Sequence, residues 1–388
     1  MNSDVFIIGA GCSAPYGFPT GTMLMQNLKD FDYGTKFPRE SYDKSDVFLV
    51  DLYQERFGYS SADIKGHGID IEWILPFAKD EDIYNQLMDE IVLPFSQSVR
   101  NSMMVSTDEF LKNRLGQKQS EQADFGKRLI AYEILKAEQA SWLGKIDWIQ
   151  HLLSQIDQQD KWEEILKQTV FLTFNYDRVL EYCIFLYLTS DKQYADADAH
   201  SFIKAMQIFH VNGFIGPLEE IPFGAVENGK YQEIAKRMAT VWEKRQNPDE
   251  SEKENYQEFL KKAQRVYFLG FSYIPDNLKS IGINPGSKII QNAKVYATAM
   301  GLSSQNRLRI SSYLDLKDFE KRNEPDPISE IEIQRSPLMM DESIYQREYE
   351  KKEKSLKKQA KIRRVRYENR ILKDASALDL ILDYYTFS

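Results

Sequence analysis

Asp4-Val5-Phe6-Ile7-Ile8, running straight into Gly9-Ala10-Gly11-Cys12-Ser13-Ala14-Pro15-Tyr16-Gly17-Phe18-Pro19-Thr20-Gly21, is the stretch on which the fold turns. Four consecutive apolar residues, three of them β-branched, predict a buried strand of a parallel sheet. Small residues follow, and a helix is predicted from about Thr20 to Thr22 onward, running through Leu24 and Leu28. A strand that turns sharply into a helix brings backbone N–H groups and the positive end of the helix dipole to one place, where a phosphate can bind. The loop is therefore a candidate pyrophosphate cradle, in which a side chain at Gly11 would intrude between backbone and phosphate while Cys12 would be replaceable. Its spacing differs from G-x-G-x-x-G and no Gly-Lys-Ser/Thr follows, so the loop by itself is equally a tight turn.

The composition bounds the rest. With 388 residues, 42% of them hydrophobic, the chain is long enough for two or three domains and a sizeable core. A net charge of −9 argues against a surface that coats nucleic acid, while leaving room for one local basic face. Cys12 and Cys183, the only two cysteines, can supply neither a disulfide framework nor a four-Cys zinc site. The N-terminus lacks a cleavable signal pattern and no apolar run is long enough to span a bilayer, so a cytoplasmic location without membrane contact is expected.

Further along, helices are predicted for Asp46 to Phe57 and from Asp70, and nearly everything from Glu81 to about Lys167 carries helical periodicity, a helical insertion at about 80–167. One stripe holds Ile83, Leu87, Ile91 and Phe95; another holds Leu129, Ile134, Leu135, Trp142, Ile146, Ile149 and Leu153. Strands return at Val170-Phe171-Leu172-Thr173-Phe174, at Gln207 to Val211, from Val266 and at Lys294 to Ala299, each followed by a loop or helix. That alternation predicts an α/β fold with a Rossmann-like parallel sheet. Residues just past a strand's carboxyl end line the ligand crevice of such a sheet, which places Asn175 and Asp177 there; Asp177 is equally an N-cap for the helix from Arg178 to Leu188. His210 and Asn212, two apart on a predicted strand, are expected to share a face. Beyond Pro325-Asp326-Pro327, Glu348 to Lys373 reads as a polar helix dense in Lys and Arg, and Ala377 to Tyr385 turns apolar.

Together these strand ends resemble the sirtuin-like, NAD-consuming fold. Gly9-Ala10-Gly11-Cys12-Ser13 and Gly17-Phe18-Pro19 resemble its Gly-Ala-Gly-x-Ser and Gly-Ile-Pro elements; Thr173-Phe174-Asn175-Tyr176-Asp177 its Thr-Gln-Asn-Ile-Asp; and Gly270-Phe271-Ser272 its Gly-Thr-Ser. The resemblance covers residues 4 to about 300, with the motifs in family order. It implies a sirtuin-type catalytic domain over 1–320 and a charged helical C-terminal region over 321–388. It also implies NAD as substrate and a site in which Asn175 and His210 are catalytic. Gly9, Ala10, Gly11, Ser13, Pro19, Thr173, Asp177, Asn212, Gly270 and Ser272 would contact the dinucleotide, with no metal. Two cysteines cannot build the zinc ribbon of the family's deacylases, so the implied reaction is NAD⁺ hydrolysis, as in bacterial sirtuin-like antiphage-defence proteins. Asn212, not His, precedes Gly213, and Phe174 stands where the family has Gln. The alternative is a degenerate site in a nucleotide-binding or nuclease subunit.

Stand-alone chains of this size resemble those paired with a HerA-type ring ATPase, which implies a homo-oligomer docking on such a ring through exposed aromatics of the Glu81 to Lys167 helices. The basic segment from Lys351 to Arg370 is either a solvated face, with Glu350, Glu353 and Glu368 interleaved, or a face that meets DNA or an acidic partner surface, with Lys357, Lys358, Arg363 and Arg364 in the contact.

Overall fold

The computed structural model describes residues 3–31, 88–117, 119–140, 147–226, 230–239, 250–318, 370–373 and 375–385, with residues 143 and 243. Seven parallel strands form one sheet: β1 (Ser3–Ile8), β2 (Val170–Thr173), β3 (Gln207–His210), β4 (Ala263–Leu269), β5 (Lys294–Thr298), β6 (Lys317–Asp318) and β7 (Arg370–Lys373), in the order β3-β2-β1-β4-β5-β7-β6. Helices are α1 (Gly21–Asp30), α2 (Leu93–Arg100), α3 (Thr107–Gly116), α4 (Ser120–Ala140), α5 (Trp148–Asp157), α6 (Trp162–Gln168), α7 (Val179–Leu186), α8 (Asp196–Lys204), α9 (Tyr231–Arg237), α10 (Glu250–Lys262), α11 (Pro275–Ser280), α12 (Ser304–Leu314) and α13 (Ala377–Tyr384). The chain has a Rossmann-like α/β fold.

Strand alternation divides the core in two. Phe6, Ile8, Phe171, Tyr267, Leu269, Tyr296 and Ile371 point to the face covered by the helices of the insertion and by α13. Val5, Ile7, Val170, Leu172, Val266, Phe268, Val295, Ala297 and Leu372 point to the other, where residues of α10, α11 and α12 cover them. On the first face, register aligns Phe171, Phe6, Tyr267 and Tyr296 into a row of stacked rings with centroids 5.3, 4.8 and 5.3 Å apart, and Tyr384 of α13 extends it at 4.8 Å. Such cross-strand aromatic neighbours pin the register.

The α1 helix starts where its sequence signals it: the Thr20 hydroxyl accepts the Met23 N–H, and Leu24 and Leu28 are buried. Two expectations need correction. Arg370–Lys373 does not continue a polar helix; it is a strand inserted between β5 and β6, with Ile371 and Leu372 buried on opposite faces. The Arg370 guanidinium donates to the carbonyls of Ile290 (2.9 Å), Ala293 (3.3 Å), Leu314 (2.6 Å) and Asp315 (2.9 Å), closing the ends of two neighbouring segments. Among its described residues the insertion does not expose a set of aromatics either: Phe95, Phe110, Phe125, Tyr132 and Trp148 are buried, and the large apolar side chains exposed there are Leu93, Met103 and Val105. The helices expected from Asp46 and Asp70, Trp142, Ile146 and the basic segment before Arg370 lie outside the described residues.

Candidate functional site

In the order β3-β2-β1-β4, the connection leaving β1 departs to one side and β4 joins on the other. Ligands of open α/β sheets bind beyond the carboxyl ends at such a switch point. Every residue singled out from the sequence lies in or just beyond these four strands on that side: Gly9, Ala10, Gly11, Ser13 and Pro19 after β1; Thr173, Asn175 and Asp177 at the end of β2; His210 and Asn212 at the end of β3; Gly270 and Ser272 after β4.

The loop after β1 is two short 3₁₀ turns, Ala10–Cys12 and Ala14–Tyr16. Its amides are largely turned inward: Gly9 N–H donates to Leu269 O (3.0 Å), Gly11 N–H to Gly270 O (3.0 Å), Cys12 N–H to Gly9 O (3.0 Å) and Ser13 N–H to Ala10 O (3.2 Å). A Cβ on Gly11 would stand 2.9 Å from the Gly270 Cα. Glycine at position 11 thus serves the close approach of the β4 end, which accounts for the small residue without a phosphate. On the other side, the Trp148 indole donates to the Cys12 carbonyl (3.0 Å), and the Tyr16 hydroxyl lies 3.0 Å from Gln150 Oε1 and accepts the Ile149 N–H (3.3 Å). The helical insertion therefore buttresses the loop. Cys12 is buried, and its surroundings push its thiol well above the ordinary value, as befits a packing residue.

Ser13, Asn175 and Asp177, all buried, form one hydrogen-bonded group. Asn175 Nδ2 donates to Ser13 Oγ (3.0 Å), and the Ser13 hydroxyl hydrogen-bonds the Asp177 carboxylate. Thr173 Oγ1 accepts the Asn175 N–H (3.1 Å), spending its hydroxyl on the turn. Asp177 also accepts the Val179 N–H (3.2 Å), so it caps α7 and joins the cluster at once. Burial raises its pKa to about 6, against the lowering effect of Ser13 and the Val179 amide.

His210 closes the group from β3. Its Nδ1 is 2.9 Å from the Asn175 carbonyl and its Nε2 2.5 Å from Glu181 Oε1 of α7, with the ring stacked on Phe214 at 4.3 Å. Burial lowers its pKa, but Glu181, the Asn175 carbonyl and Asp177 outweigh burial and the net direction is up. Both ring nitrogens are engaged with acceptors. Asn212 does not share its face on a common strand, because β3 ends at His210 and Gly213 N–H closes a turn onto His210 O (3.0 Å). Asn212 is buried there, and its Oδ1 meets no hydrogen-bond partner.

After β4, Gly270 N–H donates to Thr298 Oγ1 (2.9 Å) and the Tyr273 hydroxyl to Thr298 O (2.7 Å). Tyr273 has a φ of 55°, a left-handed conformation uncommon for a bulky side chain, and the loop it anchors leaves Ser272 exposed at the crevice rim. Sequence reasoning overlooked Glu181, Arg178 and Glu138. Arg178 is fully buried and forms a two-pronged ion pair with Glu138 of α4 (3.0 and 2.6 Å), while also holding the carbonyls of Gly216 (3.1 Å) and Ile221 (2.5 Å) in the chain after β3. An Arg next to Asp177 was a visible signal; its partner, 40 residues upstream, was not.

These groups give a signed pH prediction. Asp177 has a folded-state pKa of about 6, above its ordinary 3.8, so its contribution to stability is complete below 3.8 and lost as pH rises through 6, a change of roughly 3 kcal/mol. Asp177→Asn is thus expected to gain on the wild type as pH rises from about 4 to 7. Melting temperatures of both proteins across that range check it; parallel curves would mean that Asp177 is not buried as described.

No protein-family model matches this chain, and no curated protein matches it. Fold and site define a Rossmann-like α/β protein with a polar, hydrogen-bonded cluster at the switch-point crevice. Among the described residues no group of His, Cys, Asp and Glu has the makings of a metal site, and no helix is long and apolar enough to cross a membrane.

Proposed function

We propose that the chain binds NAD⁺ across this crevice and hydrolyses the nicotinamide–ribose bond to give nicotinamide and ADP-ribose. The observation that carries this reading is the Ser13–Asn175–Asp177 cluster at the switch point, in a chain whose strand-end motifs resemble those of sirtuin-like enzymes. Cleavage of that bond develops oxocarbenium character on the ribose and needs an oriented water on the opposite face. An amide such as Asn175, held by Ser13, can orient a water and a ribose hydroxyl together. Asp177, ionised above about pH 6, supplies negative charge beside the developing cation and can accept the carboxamide N–H. Ala10, the start of α1 and the exposed Ser272 are the groups available to the pyrophosphate and ribose oxygens.

Asn175→Ala is expected to lower turnover by about 10²-fold or more, followed as nicotinamide release by chromatography. Consumption of NAD⁺ by Asn175→Ala at the wild-type rate would put the chemistry elsewhere. A second reading, nucleotide binding without turnover, is favoured by the engagement of both His210 ring nitrogens and by Asn212 before Gly213. Calorimetric NAD⁺ binding with no nicotinamide released would select it. In either reading the chain works as a cytoplasmic homo-oligomer with a HerA-type ring ATPase in antiphage defence, and any DNA contact is made through that complex. Among the described residues of the insertion, Leu93, Met103 and Val105 are large exposed apolar side chains available for such a contact. Light scattering at concentrations where activity is seen tests the assembly; a monodisperse monomer would exclude it.

A further inference from the structure

The Ser13–Asn175–Asp177 cluster depends on how the backbone at Asn175 is held, and that hold comes from outside the cluster. His210 Nδ1 lies 2.9 Å from the Asn175 carbonyl oxygen, which can only accept, so Nδ1 must carry a hydrogen for the contact to be a bond. On the opposite side of the ring, Nε2 lies 2.5 Å from Glu181 Oε1. Phe214, stacked at 13° to the imidazole, fixes the ring plane along this line. Glu181, on the first turn of α7, is itself buried. We propose that Glu181 is a positioning residue: the proton it shares with His210 Nε2 keeps the hydrogen on Nδ1, and Nδ1–H pins the Asn175 carbonyl so that the Asn175 amide meets Ser13.

The logic lies in where hydrogens can go. With one proton shared between Glu181 and Nε2, Nδ1 keeps its hydrogen whichever of the two atoms holds the shared one. Remove that proton and the ring has a single hydrogen left, facing a carboxylate on one side and a carbonyl on the other. The carboxylate is the stronger acceptor, so the hydrogen moves to Nε2 and two lone pairs confront each other at Asn175. The hold on Asn175 is therefore lost as pH rises and His210 gives up that proton. The charged groups that act on the pair from the surrounding elements are Asp177 from the β2–α7 loop and Glu138 of α4, itself paired with Arg178. Asp177 is itself pushed up to about 6 by burial, while the His210 ring is pushed up from its ordinary value by Glu181.

Without a carboxylate at 181 the single hydrogen of a neutral ring stays on Nδ1: glutamine can donate its amide N–H to Nε2, and leucine leaves the Asn175 carbonyl as the stronger acceptor facing the ring. The role matters to turnover only through the proposed NAD⁺ site, on which this inference rests, so its test reads the Asn175 amide directly. In full-length protein labelled with ¹⁵N-asparagine, the Asn175 side-chain resonance, assigned by its loss in Asn175→Ala, is followed as pH rises through the loss of the His210 proton. Wild type should show a transition as His210 loses the shared proton, whereas Glu181→Gln and Glu181→Leu should both lack it, because in each the remaining ring hydrogen stays on Nδ1 toward the Asn175 carbonyl. The same transition in wild type and Glu181→Gln would overturn the assignment. Should the variants fail to fold, the ring ¹⁵N spectrum of wild-type His210 decides: Nδ1 protonated at neutral pH supports the role, and a bare Nδ1 overturns it. If these signals behave as expected while wild type neither binds nor cleaves NAD⁺, the NAD reading fails and the positioning role stands. If turnover is present, it should fall about tenfold across the same transition, the worth of one hydrogen bond.

Discussion

Gly270→Ala is expected to destabilise the protein severely, by more than about 3 kcal/mol, which at roughly 2–4 °C per kcal/mol for a chain of this order lowers the melting temperature by about 10 °C. A Cβ at this position would stand 2.3 Å from the Cys12 nitrogen and 2.6 Å from the Gly11 carbonyl carbon, both backbone atoms that no rotamer change can move aside. The residue also holds a φ of 55°, which by itself costs about 1–2 kcal/mol for an alanine. Gly286 separates the two terms: its φ is 73°, yet an added Cβ there meets nothing within 4 Å. Gly286→Ala should therefore show the backbone term alone. Thermal melts followed by circular dichroism on the two variants make the comparison, and equal losses would mean that β1 and β4 do not interlock through this glycine. Gly11→Val is expected to follow Gly270→Ala, since its Cβ presses on the same Gly270 backbone. Loss of NAD⁺ binding in Gly11→Val would accordingly report the collapse of the loop as much as any intrusion on a phosphate.

The second large effect is expected at Arg178. Arg178→Met should cost about 3–5 kcal/mol, because it leaves the buried Glu138 carboxylate without its guanidinium and strips the Gly216 and Ile221 carbonyls of their donor. The Gly224 N–H still reaches Glu138 (2.9 Å), but one amide does not replace a charge. Replacing both partners, Arg178→Met with Glu138→Leu, should recover part of the loss, since the unpaired charge is then gone. Urea unfolding of the two single variants and the double variant closes the cycle. Simple additivity would deny the coupling. The consequence reaches the crevice, for Arg178 ties the chain that follows Asn212 to the insertion helix α4 and sits next to Asp177.

The strand at Asp4 to Ile8, the helix capped by Thr20, the strands at Val170, Val266 and Lys294 and the parallel α/β arrangement were all legible in the sequence. Each is a local matter of apolar runs, period and capping, decided within a few residues. The placement of Ser13, Asn175, Asp177 and His210 at one edge was legible for the same reason, because a parallel sheet brings every carboxyl end to one side. Arg370–Lys373 was not, since four residues beside a run of Lys and Arg carry too little local pattern. It is a strand because β5 offers an open edge and because its arginine finds four carbonyls there. Nor could the sequence show what Gly11 and Gly270 are for, as either reading of the loop needs glycine; only the packing of β1 on β4 shows that the chain approaches itself. The partners Glu181–His210 and Glu138–Arg178 lie 29 and 40 residues apart and on different elements. Charge and chemistry made each a candidate for pairing, but which carboxylate faces which cation follows from how the helices cross the sheet, a relation that exists only once the chain is folded.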